Sequence, residues 1–251
     1  MGKTVVRQSR LGIAIAMLMT LFTLAACESG QGSRAGTTAE GTRTAGAEDT
    51  PLGKPLGKAD LERAAITDAD LDGYEVEQTL AAPGASHRTA DPAECAPVVQ
   101  ALGGSSGFAA TARIGRMVFS KKHRPGATVI LASHGAGDAA RVIDALRTAA
   151  ERCKTFMDIG VRFRYDETAL QPDPGYGDES VSLRLTQLAA DTEDDEPVRV
   201  PYAVVAVRQG ATVAMFYEFN RPRGSEGESP AAVPDEIIRT QLNKLAMSQR
   251  S

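Results

Sequence analysis

The 251-residue chain has no tryptophan, and only three histidines and three cysteines. Aromatic residues make up 5% of it, so a folded domain must build its core mainly from Val, Ile, Leu and Ala. The sequence also lacks a Gly-x-Ser-x-Gly elbow, a phosphate-binding loop, zinc-ligand spacing and a dinucleotide fingerprint. We therefore expect no enzyme, and we predict no catalytic residue, cofactor or metal ion.

Basic residues are not concentrated enough for nucleic-acid binding. The formal net charge is −4, and the only basic cluster is Lys121-Lys122-His123-Arg124. Pro125-Gly126 follow the cluster, so it is predicted to be a solvated hairpin turn. Tight non-specific binding to nucleic acid requires the neutralisation of many phosphates. The charge balance thus argues against nucleic acid, and also against a purely electrostatic attachment to anionic lipid.

The one long apolar run is at the N-terminus, from Leu11 to Ala26, and it follows Lys3, Arg7 and Arg10. About 20 apolar residues are needed to cross a bilayer, so this run is marginal as a permanent span. A positive flank, a short apolar core and small residues at its end are typical of an export signal. An ordinary secretory signal or an uncleaved anchor helix are the alternatives.

Leu24-Ala25-Ala26-Cys27 resembles the lipobox of bacterial lipoproteins, in which cleavage precedes the cysteine and a diacylglycerol, carrying chains such as palmitate, is attached to its sulfur. Two acyl chains hold a protein on a membrane far longer than one. The resemblance implies lipidation at Cys27 and a position on the extracytoplasmic face of the cell membrane.

Composition divides the chain into three parts. Residues 1–26 are predicted to be a lipoprotein signal peptide. Residues 27–58, which are rich in Gly, Ser and Thr, are predicted to be the lipidated cysteine and a disordered tether. Residues 59–251 are predicted to form a single extracytoplasmic domain, since they are enough for one hydrophobic core.

Periodicity in residues 59–251 predicts an α+β fold, an antiparallel β-sheet with helices packed on one face. Gly137–Cys153 has the clearest helical stripe, and Gln209-Gly210 is predicted to be a tight turn between strands. The other predicted helices are Ala59–Ile66, one that starts at Asp91-Pro92-Ala93-Glu94, and one that starts at Pro234. The other predicted strands are Tyr74–Leu80, Ala112–Ser120, Ala127–Ser133, Ile159–Tyr165, Ser180–Leu188, Val198–Arg208 and Ala211–Phe219.

Cys95 and Cys153 each lie on the apolar stripe of a predicted helix. Exported proteins are folded in oxidising compartments, so an even pair of inward-facing cysteines predicts a disulfide. The alternative is two separate buried thiols that act as small apolar residues.

Four motifs resemble binding or catalytic sites but are interpreted as structural. Asp68, Asp70, Asp72 and Gly73 match the opening of a calcium loop, but the twelfth position is Thr79 instead of a bidentate acid. The acidic run Asp191, Glu193, Asp194, Asp195 and Glu196 is predicted to be a solvated loop. Ser133-His134 are adjacent, whereas a nucleophile and its base must oppose each other. Gly135-Ala136-Gly137 could bind an anion, but this segment is predicted to be the turn into a helix.

A resemblance to exported actinobacterial sensor domains is carried by the runs Ala65–Tyr74 and Asp91–Cys95 and by Cys153 at a helix end. The similar family is the extracellular domain of PknH-type receptor kinases with its stand-alone lipoprotein relatives. The resemblance implies a mixed helix–sheet domain with a central cleft for an unknown ligand. Members commonly have two disulfides, whereas this domain has cysteines for one, so no binding residue is transferred.

Three functions remain open on the sequence. The first is a ligand-binding or sensor-like lipoprotein whose partner is a small molecule or lipid. The second is a structural or interaction module that binds another envelope protein. The third, least favoured, is an enzyme acting on envelope material. A pocket with few polar groups would favour the ligand-binding function, and a flat apolar patch would favour the interaction module. An acid or histidine with a perturbed pKa in a cleft would favour the enzyme.

The lipid anchor is tested by Cys27→Ala. This variant should lose acylation and leave the membrane fraction, because no sulfur remains to carry the acyl chains. The measurement is metabolic labelling with a fatty acid together with membrane fractionation, and Glu28→Ala is the matched control. Unchanged membrane retention of the Cys27→Ala protein would reject the anchor.

Overall fold

The computed structural model describes residues 53–79, 88–121, 125–135, 137–190, 196–222 and 229–250. The predictions for the leader, for Cys27 and for most of the tether lie outside these residues. The same holds for His87, His123 and most of the acidic run 191–196.

Nine strands form one antiparallel sheet. The strands are β1 (Tyr74–Thr79), β2 (Ala90–Asp91), β3 (Ala110–Ser120), β4 (Ala127–His134), β5 (Phe156–Asp158), β6 (Phe163–Leu170), β7 (Glu179–Ala189), β8 (Val198–Gln209) and β9 (Thr212–Phe219). Their order across the sheet is β1-β3-β4-β9-β8-β7-β6-β5-β2. The helices are α1 (Lys58–Ala64), α2 (Ala96–Leu102), α3 (Asp138–Arg152) and α4 (Asp235–Gln249).

Helices cover both faces of the sheet. Successive side chains of a strand point to opposite faces, and in β8 Val204 and Ala206 pack with α2 and α3. Val205 and Val207 pack on the other side with α1 and α4. We call the α2 and α3 side the first face and the α1 and α4 side the second face.

The predicted α+β class and the antiparallel sheet are confirmed. The arrangement of the helices differs from the prediction, which placed them all on one face. The physical reason lies in β8, where the run Tyr202–Val207 is apolar at consecutive positions. A strand with one solvated face alternates apolar and polar residues, whereas consecutive apolar residues need cover on both sides.

Two predicted elements have different boundaries. The segment Ile159–Tyr165 is not one strand, because residues 159–162 form the turn between β5 and β6. The helix predicted to start at Asp91 starts later, since Asp91 belongs to β2 and a 3₁₀ turn, Ala93–Cys95, precedes α2. The Gln209-Gly210 turn is confirmed, and Gly210 there has a positive φ of 59°.

The tether was predicted to extend to Lys58, but the folded domain begins earlier. The Leu56 N–H donates a hydrogen bond to Ser133 Oγ at 2.7 Å. The Leu56 side chain packs against the cluster on the second face. An apolar residue beside a hydrophobic cluster gains more by burial than it would as part of a solvated linker. The chain therefore joins the domain where β8 turns into β9, close to Gly53.

The structure contains the predicted disulfide between Cys95 and Cys153, with Cα atoms 5.6 Å apart. Cys95 immediately precedes α2, and Cys153 immediately follows α3. Both are buried in the cluster of the first face. The disulfide thus fixes the two helices of the first face to each other.

Replacing both cysteines tests how much this link stabilises the domain. The double variant Cys95→Ala/Cys153→Ala should lower the free energy of unfolding by about 4 kcal/mol, because the link closes a loop of 58 residues. Urea unfolding of the variant and of the oxidised native protein measures the difference, and mass spectrometry of non-reduced peptides should find the pair joined. Equal stability, or two free thiols in the native protein, would contradict this prediction.

Candidate ligand-binding groove

The helices of the first face leave one end of the sheet uncovered. This end, which we call the β3–β4 end, is where β3 turns into β4 and β5 turns into β6; the opposite end holds the β8–β9 turn. Antiparallel register places Met117 beside Thr128, and Thr128 beside Tyr217. Phe119 and Phe219 lie two residues further along the same face. None of these residues belongs to the buried core.

These side chains line an open groove of about 330 Å³. Phe119 is 41% exposed and Phe219 is 51% exposed, so both present aromatic surface to solvent. Large exposed apolar patches on soluble domains are often functional. The lower limit for small-molecule pockets is about 300 Å³. The groove is therefore large enough for part of a small apolar molecule.

An aromatic row connects the groove to the interior. The ring centroids of Phe219 and Tyr202 are 5.2 Å apart, and the two rings are stacked. Tyr202 meets the edge of Tyr165 at 6.1 Å, and Tyr165 stacks on Phe156 at 5.1 Å. Contacts of this kind stabilise by about 0.5–1.5 kcal/mol beyond area burial. The exposed Phe219 ring is thus held in place by a chain of packed rings.

A few polar groups contact the aromatic row. Tyr202 Oη donates a hydrogen bond to Gln187 Oε1 at 2.9 Å. Burial, with a smaller effect of Tyr217, raises the pKa of Tyr202 to about 12, so its hydroxyl stays neutral. Beyond Tyr165, Arg88 forms an ion pair with the fully buried Asp158. The row is apolar along its length and has few hydrogen-bonding groups.

Two carboxylates border the outer side of the groove. Glu75 pairs with Phe119 across the β1–β3 ladder, and Glu77 pairs with Met117. Directly opposed side chains lie about 4.5–5.5 Å apart at Cβ. The groove therefore has an apolar floor with acidic residues along its β1 edge.

Two other cavities are more polar. The larger, about 670 Å³, lies between the entering segment at Gly53 and the end of α4 at Gln249, where Asp60, Arg63 and Asp178 contribute charge. The smaller, about 340 Å³, includes Glu167 and Arg184. Asp60 is paired with Arg63 in the larger cavity, and Glu167 of the smaller cavity is paired with Arg199.

The structure uses the aspartates of the calcium-like motif to fix a turn. Asp68 Oδ1 accepts a hydrogen bond from the Val76 N–H at 2.5 Å. Asp70 Oδ2 accepts from the Thr67 N–H and from Lys244 Nζ. Within the described ranges, no three His, Cys, Asp or Glu side chains are grouped so that they could hold a metal ion.

Ser133 and His134 lie on opposite faces of β4. Ser133 Oγ accepts the hydrogen bond from Leu56 on the second face. His134 Nδ1 is 3.2 Å from the Ala109 carbonyl oxygen, to which it donates, and Nε2 is buried without a partner. The two side chains therefore do not form a nucleophile–base pair. Gly137, at the end of the glycine-containing turn, directly precedes α3.

No helix in the part of the chain that the structure describes is long and apolar enough to cross a membrane.

The fold resembles solved structures of low sequence identity. The extracellular domain of PknH from Mycobacterium tuberculosis matches with a TM-score of 0.50 and 10% identity, covering 79% of this chain and 100% of that one. An uncharacterized protein from Mycobacterium smegmatis matches with a TM-score of 0.35 and 13% identity, covering 80% and 99%. No protein-family model matches the chain, and no curated protein does. The first likeness supports the resemblance stated from the sequence, at the level of the fold.

Sequence reasoning did not identify the groove residues. Met117-Val118-Phe119 and Tyr217-Glu218-Phe219 were assigned only to predicted strands. One signal was available in the sequence. Four large apolar residues lie near the ends of predicted strands, where the predicted helices need not cover them: Met117, Phe119, Tyr217 and Phe219. Their approach to one another depends on the pairing of β3, β4 and β9, which no short-range pattern reveals.

The buried His134 predicts a loss of stability in mild acid. Burial lowers the pKa of His134, and the hydrogen bond to the Ala109 carbonyl oxygen partly opposes this shift. Of the nearby charges, Arg113 lowers the pKa further and Asp138 raises it. The unfolded state therefore binds a proton at about pH 6.5, where the folded state does not. The stabilisation is present above pH 6.5 and is lost as the pH falls below it, by at most about 1.4 kcal/mol per unit.

Urea unfolding between pH 7.5 and pH 5.5 measures this slope. In His134→Asn the slope should flatten, whereas the control variants His87→Gln and His123→Gln should keep it. The same slope in His134→Asn as in the native protein would show that His134 does not cause the acid sensitivity.

Proposed function

We propose that the protein is an extracytoplasmic lipoprotein, anchored through acyl chains on Cys27, whose domain binds an apolar ligand as a sensor-like, non-catalytic module. The observation that carries this proposal is the groove of Met117, Phe119, Tyr217 and Phe219. Its aromatic surface is exposed where the helices leave the first face of the sheet uncovered. The leader sequence and the likeness to a kinase extracellular domain support the location.

The shape of the groove favours a lipid or another elongated apolar molecule. The site is open and continues along the aromatic row, in which Tyr202, hydrogen-bonded to Gln187, follows directly after Phe219. An apolar ligand on this floor would remove Phe119 and Phe219 from water, which is favourable at about 25 cal/mol per Å². The acidic Glu75 and Glu77 disfavour a ligand with negative charge near the β1 edge.

An interaction with another envelope protein is the second candidate. The observation that favours it is the openness of the groove and the 51% exposure of Phe219. Exposed aromatic side chains are common anchors of protein interfaces. The two candidate functions differ in one expectation: a ligand-binding domain should bind a small apolar probe in the groove, whereas a protein-interaction module need not.

Phe219→Ser tests the ligand hypothesis. The variant should bind a fluorescent fatty acid at least about tenfold more weakly than the native protein, because a buried phenylalanine contributes roughly 1.5–3 kcal/mol. Fluorescence titration of protein freed of bound lipid measures the dissociation constant. Met247→Ser is the matched control, since Met247 is 61% exposed on α4.

Native mass spectrometry of protein purified from its own host completes the test. It should find an apolar molecule on the native chain and on Met247→Ser, but less on Phe219→Ser. Equal probe affinity in all three proteins, with no co-purified molecule, would refute the ligand hypothesis and favour the protein partner.

A further inference from the structure

The exposed large apolar side chains of the described residues are concentrated at the β3–β4 end of the sheet. With the exception of Met247, they are Met117, Phe119, Met157, Ile159, Val161, Phe163, Val198 and Phe219. Three of these form the groove. Four others follow one another in the β5–β6 hairpin, where they are not part of the groove.

The β5–β6 hairpin carries its apolar side chains outward. Ile159 and Val161 are in the turn, and Met157 and Phe163 belong to the adjoining strands. All four are exposed, so none contributes to the hydrophobic core. A turn normally presents polar residues to water. Large apolar side chains grouped at a protruding turn indicate a surface that is covered by a partner.

The base of the hairpin is rigid. Phe156 stacks on Tyr165 across the two strands, and Cys153 ties the preceding segment to α2. Asp158 Oδ1 accepts a hydrogen bond from the Gly160 N–H at 3.0 Å within the turn. The apolar tip is thus presented by a fixed support.

Charges of both signs lie near the tip, where the exposed Asp91 of β2 is opposite Met157. The one carboxylate between residues 157 and 164 is Asp158, which is fully buried and paired with Arg88. The exposed charges nearest the turn are Arg162 and Arg164, the latter 3.5 Å from Asp166. Further along β6, Glu167 is exposed and paired with Arg199. Arginine can lay its stem along an apolar surface while its guanidinium contacts phosphate. An apolar tip flanked by arginines is suited to the headgroup–acyl boundary of a phospholipid bilayer.

We propose that the β5–β6 hairpin is a second membrane contact, which inserts Ile159, Val161 and Phe163 into the bilayer surface. The contact rests on the proposed anchor at Cys27, which brings the domain to the membrane, and it adds an orientation that the acyl chains on Cys27 do not impose by themselves. The β3–β4 end then faces the lipid, and so does the mouth of the groove.

The length of the tether permits this orientation. Gly53 lies 26 residues after Cys27, and an extended chain spans at most about 3.3–3.6 Å per residue, or roughly 90 Å. A strand such as β4, with eight residues, is only about 25 Å long. The domain can therefore turn its β3–β4 end to the membrane although the tether joins it at the opposite end.

The chain has a net acidic charge, which does not attract it to anionic lipid. Insertion of the hairpin into the bilayer must therefore depend on its apolar side chains more than on charge. Glu196 lies just before β8 at the same end of the sheet. We therefore expect docking on vesicles of phosphatidylcholine alone, and little further gain when phosphatidylglycerol is added, because Arg164 is paired with Asp166 and Asp91 is opposite Met157.

The absence of tryptophan from the sequence allows a single-tryptophan test. The mature acylated Phe163→Trp protein is reconstituted into phosphatidylcholine–phosphatidylglycerol vesicles, with and without brominated acyl chains. Its emission should shift to shorter wavelength and be quenched by the brominated lipid. Met247→Trp is the matched control at the opposite end of the sheet, and it should show neither change.

Adding Ile159→Ser and Val161→Ser to the Phe163→Trp protein should shift the docking equilibrium toward the undocked domain by roughly tenfold or more. Their exposed positions leave the core intact, so thermal unfolding should be unchanged. Flotation with the vesicles measures whether the lipid anchor holds the protein, and quenching measures whether the hairpin tip enters the bilayer. A wrong anchor assignment can therefore be distinguished from a wrong assignment of the tip.

Absence of quenching at position 163 in protein that floats with the vesicles would overturn the proposal. Equal quenching at positions 163 and 247 would also overturn it, because the domain would then have no preferred orientation. An emission shift that requires other envelope proteins and not lipid would assign the tip to a protein partner instead.

Discussion

The burial of both faces of the central strands is the constraint on which the rest of the structure depends. β8 and β9 are apolar at consecutive positions, so each face needs helices to cover it. In the described part of the chain there are four helices, of which α1 and α2 have seven residues each, and they cannot cover nine strands completely. The uncovered part of the first face is the groove. The site is therefore a consequence of how the core is closed.

The groove and the hairpin tip occupy the same end of the sheet but have different construction. The groove is a floor of side chains from β3, β4 and β9, backed by stacked rings. The tip is a turn whose apolar residues have no support from the core. A domain that rests its tip in a bilayer would bring the groove close to acyl chains. The two proposals are thus compatible, although each has its own readout.

The sequence predicts the features that depend on neighbouring residues. The stripe of α3 and the turn at Gly210 follow from local periodicity and from a residue that tolerates positive φ. The cysteine pair follows from two apolar stripes and an oxidising compartment. The prediction of helices on one face omits a signal in β8, whose run Tyr202–Val207 has the signature of two-sided burial.

The groove depends on long-range pairing, which local patterns do not encode. Met117, Thr128 and Tyr217 become neighbours only when β3, β4 and β9 adopt one register. The hairpin differs from the prediction for another reason: Ile159–Tyr165 is predicted to be one strand, yet the structure places residues 159–162 in an exposed turn. Apolar residues in an exposed turn break the usual pattern, and such exceptions are expected where function constrains the sequence.

The most direct test of the account is a nuclear magnetic resonance titration of methionine methyl groups with a fatty acid. Met117 lines the groove, Met215 is buried in the core, and Met247 lies on α4. The account predicts a saturable shift of the Met117 methyl signal, with Met215 and Met247 nearly unchanged. No shift of Met117, or equal shifts at Met117 and Met247, would contradict the claim that the uncovered end of the first face binds an apolar ligand.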